Sequence, residues 1–412
     1  MWMDGLYSSL NEARREIRLL VIQPCSTTET IVECSLETIS LDGHPRYIAL
    51  SYVWGDATIT EEILVNGISL AATTNLAASL RQLRVSRSGE RENLILNLPP
   101  LLWVDAICIN QHDILERSSQ VQLMSDIYSS AIKVISWLGP EADGIVESLR
   151  TLRAIAREIA QIPEAGDRFG WLQRYPKLFA SGMDPQHPQP SGPVLWRRIG
   201  PLWEHEYWKR TWVLQEIVLA KGVMIMCGEE VLSWEDVLTV VNWSKSIQNT
   251  DRSPSFIDPV SWHLFASHNF FKAPPVQRIE SLRNQWHGPD LRNMARRIGL
   301  RILDRSRDLK ATNPRDKVYG LLGLTGVNIV PEYSKSIREV YIETAWEYLR
   351  LYGLTRTLNN ARKDNVMKGT ANWEHDVNAA LEAETGGDTP GLPSWIPDVR
   401  LIILPCFLIC PF

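Results

Sequence analysis

Apolar and polar residues are ordered most tightly between Leu101 and Gly139, where the sequence reads LLWVDAICINQHDILERSSQVQLMSDIYSSAIKVISWLG. Trp103 to Ile109 is β-prone and mostly apolar, broken by one carboxylate, Asp105. Asp113 and Glu116 form a capping-box pattern that predicts a helix from about Ile114. Val121, Met124, Tyr128 and Ala131 fall on one face of that helix. Lys133 to Leu138 is a second buried strand, ended by Gly139-Pro140. Strand, helix and strand in this order make a βαβ unit and predict a parallel sheet.

The flanking pattern extends the sheet. Arg18–Gln23, Thr30–Ile39 and Tyr47–Asp56 read as strands, the last ending in Ser51, Tyr52, Trp54 and a Gly turn. Asn66-Gly67 between β-prone runs predicts a hairpin. Thr74 can cap a helix carrying Leu76, Leu80 and Leu83. After Pro140, Ile145–Ile162 has helical spacing, and 163–195 is a Pro/Gly-rich insertion. Trp203–Ala220 reads as one helix, Gly222–Cys227 as a strand and Gly228–Trp234 as its hairpin continuation.

From about Asn242 the periodicity is helical, including an Arg-rich segment, Leu291–Leu309, whose interspersed acids mark a solvated face. NPRDKVYGLLGL (313–324) and Ser336–Tyr352 are read as further helices. Residues 361–390 are polar and flexible, and LPSWIPD (392–398) is a turn-rich signature. The expected organisation is an α/β domain over 1–240 with an insertion at about 140–200. A helical region over 241–360 and a tail over 361–412 follow. The apolar end LIILPCFLICPF is read as a truncated or mis-spliced terminus.

Composition narrows the classes. The chain has 412 residues and a net charge of −5, which gives no bulk attraction to nucleic acid or an anionic membrane. No stretch has the apolar length of a membrane span or a signal peptide, so the expected location is the cytoplasm. The six cysteines have neither zinc nor disulfide-framework spacing and read as reduced thiols, with no metal site. Sixteen tryptophans favour aromatic packing first and a stacking pocket second.

Three blocks carry a family resemblance: ALSYVWGD at 49–56, LWVDAICINQHDILERSSQVQLMSDIYSSA at 102–131 with ISWLG at 135–139, and WKRTWVLQEIVLA at 208–220. Together they resemble the fungal heterokaryon incompatibility (HET) domain, which implies a part in self/non-self recognition and programmed cell death. That domain is in turn distantly similar to the Toll/interleukin-1 receptor (TIR) domain. LSYVWGD at 50–56 resembles the end of the first TIR strand. WVLQEI at 212–217 resembles the Trp-x-x-x-Glu spacing of NAD-cleaving TIR domains. The resemblance implies a TIR-like parallel sheet flanked by helices, with NAD as a substrate rather than a bound cofactor. It equally implies a non-catalytic alternative, a signalling module that self-associates through homotypic contacts, with a recognition partner that the sequence does not name.

Glu216 is the leading catalytic candidate. Trp212, four residues earlier, would share its helical face and wall the same pocket. A fixed carboxylate can stabilise the oxocarbenium charge that builds as a glycosidic bond breaks. The bland alternative is an exposed Glu paired with Arg210 or Lys209. Asp105 is either a ligand-orienting group at a strand end, beside Asn110 and Gln111, or a structural carboxylate paired with Arg117. Ser51, Tyr52 and Trp54 would line the same cleft or only pack a turn. Cys108 with His112 is the weaker option of a thiol nucleophile. P-loop, GxSxG, HExxH and dinucleotide-fold GxGxxG motifs are absent from the sequence.

Overall fold

The computed structural model describes residues 5–24, 31–88, 99–141, 144–162, 169–174, 199–248, 253–257, 274–287 and 305–352, with positions 259, 262, 299 and 302. Most of the expected 163–195 insertion, the bulk of the Arg-rich segment, 361–390, LPSWIPD and the apolar end lie outside these residues.

Nine strands form one sheet: β1 (Glu16–Ile22), β2 (Glu33–Ser40), β3 (Ile48–Tyr52), β4 (Thr60–Val65), β5 (Ile68–Thr73), β6 (Leu101–Trp103), β7 (Lys133–Trp137), β8 (Val223–Cys227) and β9 (Glu230–Ser233). Their spatial order is β5-β4-β2-β1-β6-β3-β7-β8-β9. The sheet is mixed, which corrects the expectation of a parallel one. The run β6-β3-β7-β8 is parallel throughout, whereas β1 pairs antiparallel with both β2 and β6, β5 with β4, and β9 with β8. Short hairpin connections force the antiparallel pairs β4–β5 and β8–β9, because a tight turn cannot return a parallel strand. Asn66 (φ 52°) and Gly67 (φ 76°) supply the left-handed pair that the β4–β5 turn needs.

The parallel run follows the doubly wound order second, first, third, fourth along the chain. β6 and β7, the two strands of the predicted βαβ unit, are both parallel to β3 but do not touch, since β3 lies between them. Ile48, Ala49, Leu50, Val134, Ile135 and the whole of β8 are buried, as expected of strands covered on both faces.

Three helices depart from the sequence reading. The strand predicted to Ile109 stops at Trp103, and Asp105–Cys108 is a short helix, because Asp105 Oδ1 accepts the Ala106 N–H (2.7 Å) and favours a helix start. The single helix expected over 203–220 is three pieces: Gly200–Glu204, a 3-10 turn Glu206–Lys209, and Thr211–Val218. His205 and Arg210 leave the helical region between them. The 313–324 segment is likewise two short helices, Asp316–Tyr319 and Leu322–Thr325.

Elsewhere the pattern is realised closely, with helices Thr74–Ser88, Ile114–Ser130, Ile145–Ala160 and Ile337–Tyr352. Asp113 caps the second of these through the N–H groups of Leu115 and Glu116. Glu116 does not complete the box. It takes the guanidinium of buried Arg18 in two hydrogen bonds of 2.6 and 2.9 Å and accepts the Asn110 N–H at 2.7 Å. That pair ties β1 to the helix that crosses from β6 to β7. Among the described residues, no helix is long and apolar enough to cross a membrane.

Candidate functional site

Ligands of doubly wound sheets bind beyond the carboxyl ends of the parallel strands, where the strand order reverses. In this chain the reversal lies at β3, between β6 and β7. Ser51 and Ser136 are paired in register across β3 and β7, both fully buried. A hydroxyl inside a buried strand needs a partner. Tyr207, on the 3-10 turn, supplies it to both: its phenol oxygen lies 2.7 Å from Ser51 Oγ and donates to Ser136 Oγ at 2.8 Å.

Ser51 also donates to Glu216 Oε2, so the carboxylate at 2% exposure is the end of a chain running Ser136–Tyr207–Ser51–Glu216. Burial raises the Glu216 pKa to about 7, against the lowering influence of Arg210, the Ser51 hydrogen bond and Tyr128. Arg210 donates to the Tyr52 carbonyl oxygen and faces two carboxylates, Glu216 and Asp105. Burial opposes its charge, yet these acids leave its pKa raised overall. One cation between a buried acid and a partly buried one cannot neutralise both, so Glu216 holds its proton to near neutral pH.

Asp105 is partly buried and accepts the Trp54 indole N–H at 2.8 Å. Desolvation raises its pKa, while Arg210 and Trp54 oppose the shift. The Tyr52 phenol lies close enough to Asp105 that each perturbs the other's proton affinity. Trp54 itself is 39% exposed and forms the solvent side of the cluster.

Glu216, Asp105, Ser51, Tyr52 and Trp54 are therefore brought together, and two other sequence candidates are not. Asn110 accepts the His112 N–H in the turn beside Glu116. The Trp212 indole lies beside the Asp316 carboxylate and lowers its proton affinity, and its ring lies against Gly320, where a Cβ would come within 3.2 Å. Arg117, a suggested partner of Asp105, stacks instead on the Tyr333 ring at 4.0 Å. Glu216 is buried rather than an exposed helix acid.

Cys108 is fully buried, with Sγ accepting the Val104 N–H, and burial pushes its thiol up to about 12, the reverse of an activated nucleophile. Among the described residues, no cluster of three or more His, Cys, Asp or Glu is placed to hold a metal.

Sequence reasoning missed Tyr207, Ser136, Tyr128 and the central role of Arg210. Ser136 did carry a signal, a lone hydroxyl within the apolar strand KVISW. Tyr207 carried none, because its contacts are 71 and 156 positions away.

Comparison with known proteins agrees with the blocks that mark this region. The family described as Heterokaryon incompatibility protein (HET) matches residues 47–216, a span that holds every member of the cluster. The chain is 30% identical over 388 residues to "Heterokaryon incompatibility protein 6, OR allele" of Neurospora crassa. That alignment covers 84% of this chain and 54% of the relative, so the chain spans about half the relative's length. No solved structure matches the chain.

Proposed function

On the premise that residues 47–216 are a heterokaryon incompatibility domain, we propose that this protein is a cytoplasmic effector of self/non-self recognition and cell death. Its active centre is the Glu216 cluster, on a TIR-like parallel core, and its reaction is cleavage of the N-glycosidic bond of NAD or a related nucleotide. The observation that carries this reading is the convergence of Glu216, Asp105 and Arg210 at the strand-order reversal, with Glu216 holding its proton to about pH 7. Perturbed acids gathered at such a position are the usual mark of a functional site.

In the reaction the C1′–N bond of the nicotinamide riboside breaks and its electron pair returns to the ring nitrogen. Positive charge develops at C1′. The ionised Glu216 carboxylate stabilises that charge, and water adds to C1′ with loss of a proton to give the free sugar hydroxyl. Asp105 is placed to accept ribose hydroxyls, and the exposed Trp54 ring to stack on a base. Substrate enters from the Trp54 side, with displacement of the Val53–Asp56 turn, where Gly55 has φ 78°.

A second reading rests on one observation, the near-complete enclosure of Glu216. In it the cluster is a buried structural network, and the domain works by homotypic assembly. NAD consumption and toxicity of the full chain, compared with Glu216→Gln, separate the two. Catalysis predicts that both are lost together in the variant. Toxicity without NAD loss in the wild type leaves the assembly reading in place.

A further inference from the structure

NPRDKVYGLLGL at 313–324 lies beyond the family-matched residues, yet the fold presses its surroundings against the helix that carries Glu216. That helix, Thr211–Val218, has eight residues and no side-chain N-cap. Two turns are marginal without outside support. The C-terminal end of the helix is held by Arg283, which donates to the Ile217 and Ala220 carbonyls, and by His287 beside the Val218 carbonyl, whereas its N-terminal half is supported by a single stretch of chain. The Thr211 N–H and hydroxyl both donate to the Lys310 carbonyl, at 2.9 and 3.1 Å, and the Lys310 N–H returns to the Lys209 carbonyl at 2.5 Å. Lys310 thus caps the helix from a hundred residues away.

The next residue, Trp212, stands beside the Asp316 carboxylate and lowers its proton affinity, and Asp316 Oδ1 receives the Tyr333 hydroxyl at 2.7 Å. Gln215, the residue before Glu216, accepts the Gly323 N–H on its Oε1 at 2.8 Å. The two glycines of the motif make these approaches possible. A Cβ at Gly323 would stand 2.5 Å from Ser125 Cβ and 2.8 Å from Gln215 Oε1. At Gly320 it would stand 2.8 Å from the Asp316 carbonyl oxygen and 3.2 Å from the Trp212 ring. Contacts under 3.0 Å leave no room for a side chain at either place.

We propose that residues 310–323 are a positioning strap for this site: they cap and seat the helix Thr211–Val218 and so hold Glu216 and Arg210 against Ser51 and Tyr52. Asp316, Gly320 and Gly323 are its positioning residues, and they act through Trp212 and Gln215. The strap rests on the catalytic reading only where activity is measured.

The test uses the full chain and follows Glu216 titration by infrared difference spectroscopy, with Glu216→Gln assigning the band. Gly323→Ala and Asp316→Ala are expected to move the midpoint by about one pH unit. They are also expected to lower kcat for NAD about tenfold, with KM changed less than about twofold. Asp316→Asn, which keeps groups able to bond Trp212 and Tyr333, is expected to restore the wild-type midpoint.

An unmoved midpoint in both alanine variants overturns the strap, whereas a moved midpoint in a protein that never consumes NAD upholds it and removes the glycohydrolase. Should the alanine variants fail to fold, hydrogen exchange on the wild type decides. Amides of 211–218 and 310–323 opening together support the strap, and a helix that stays protected while the strap opens overturns it.

Discussion

Ser51 and Ser136 face each other across β3 and β7, and one phenol, that of Tyr207, bonds to both at 2.7 and 2.8 Å. Each of these hydroxyls has one proton to give. With Glu216 ionised, Ser51 gives its proton to the carboxylate, and Tyr207, whose single proton goes to Ser136, has none left for the Ser51 oxygen. With Glu216 protonated, the carboxyl can donate to Ser51, Ser51 to Tyr207 and Tyr207 to Ser136, so every link in the chain carries a proton. Tyr207→Phe removes the middle link, leaving buried Ser136 without its phenol partner and Ser51 with Glu216 alone. The expected cost is about 1–3 kcal/mol of stability, read from denaturant midpoints, because unsatisfied buried hydroxyls forfeit their solvation. A midpoint within error of wild type would mean that water replaces the phenol without loss.

Glu216 makes stability depend on pH in a definite direction. Its pKa rises on folding from 4.5 to about 7, chiefly through burial. Between those values the folded chain holds a proton that the unfolded chain has released, so stability falls as pH increases through this window. The full difference is about 3 kcal/mol. Glu216→Gln cannot ionise, so its stability relative to wild type should climb from pH 4.5 to 7 and level off above. Parallel stability curves for the two proteins would place the titrating group elsewhere.

The ion pair between Arg18 and Glu116 is a second buried charge system, remote in role from the first. Arg18 also donates to the carbonyls of Cys108 (3.0 Å) and Ser8 (2.6 Å), so its guanidinium is satisfied on several sides. Removing one partner leaves the other charge stranded, which costs about 3–5 kcal/mol. Glu116→Ala is therefore expected to destabilise strongly in urea. Arg18→Met with Glu116→Leu should recover only part of the loss, since the Asn110 N–H and both carbonyls stay unpaired. Full recovery would show that those backbone groups find other partners.

What the sequence made legible follows from the range of each interaction. Periodicity and turn chemistry are local, so β1, the Asn66-Gly67 hairpin, β7 and the helices from Thr74, Ile114 and Ile145 were readable within a few residues of their ends. Sheet order is not local. Nothing near Trp103 or Lys133 says that β3 will lie between β6 and β7, or that β1 will run against β6. Glu216 was readable as a candidate by resemblance. Its pairing with Ser51 spans 165 positions, and the hydrogen bond of Gln215 to Gly323 spans 108. The break of 203–220 into three helices has the same origin. Arg210 must leave the helical region so that its guanidinium can reach the Tyr52 carbonyl while its backbone bridges Lys310.

Cys34, Cys108 and Cys227 lie in β2, in the short helix Asp105–Cys108 and in β8 respectively, each buried. Reactivity of a thiol follows its thiolate fraction and its exposure. Burial pushes Cys34 and Cys108 each up to about 12, so at pH 8 almost none of either is ionised. The Cys108 sulfur is further occupied by the Val104 N–H at 3.3 Å. Alkylation of the native chain at pH 8, mapped by peptide mass spectrometry, should leave all three unmodified, with labelling only after denaturant is added. Cys108→Ala should leave any NAD turnover within about twofold of wild type, because a neutral enclosed thiol supplies no nucleophile. Rapid native labelling of Cys108, with loss of activity, would reverse the assignment and return the chemistry to the thiol.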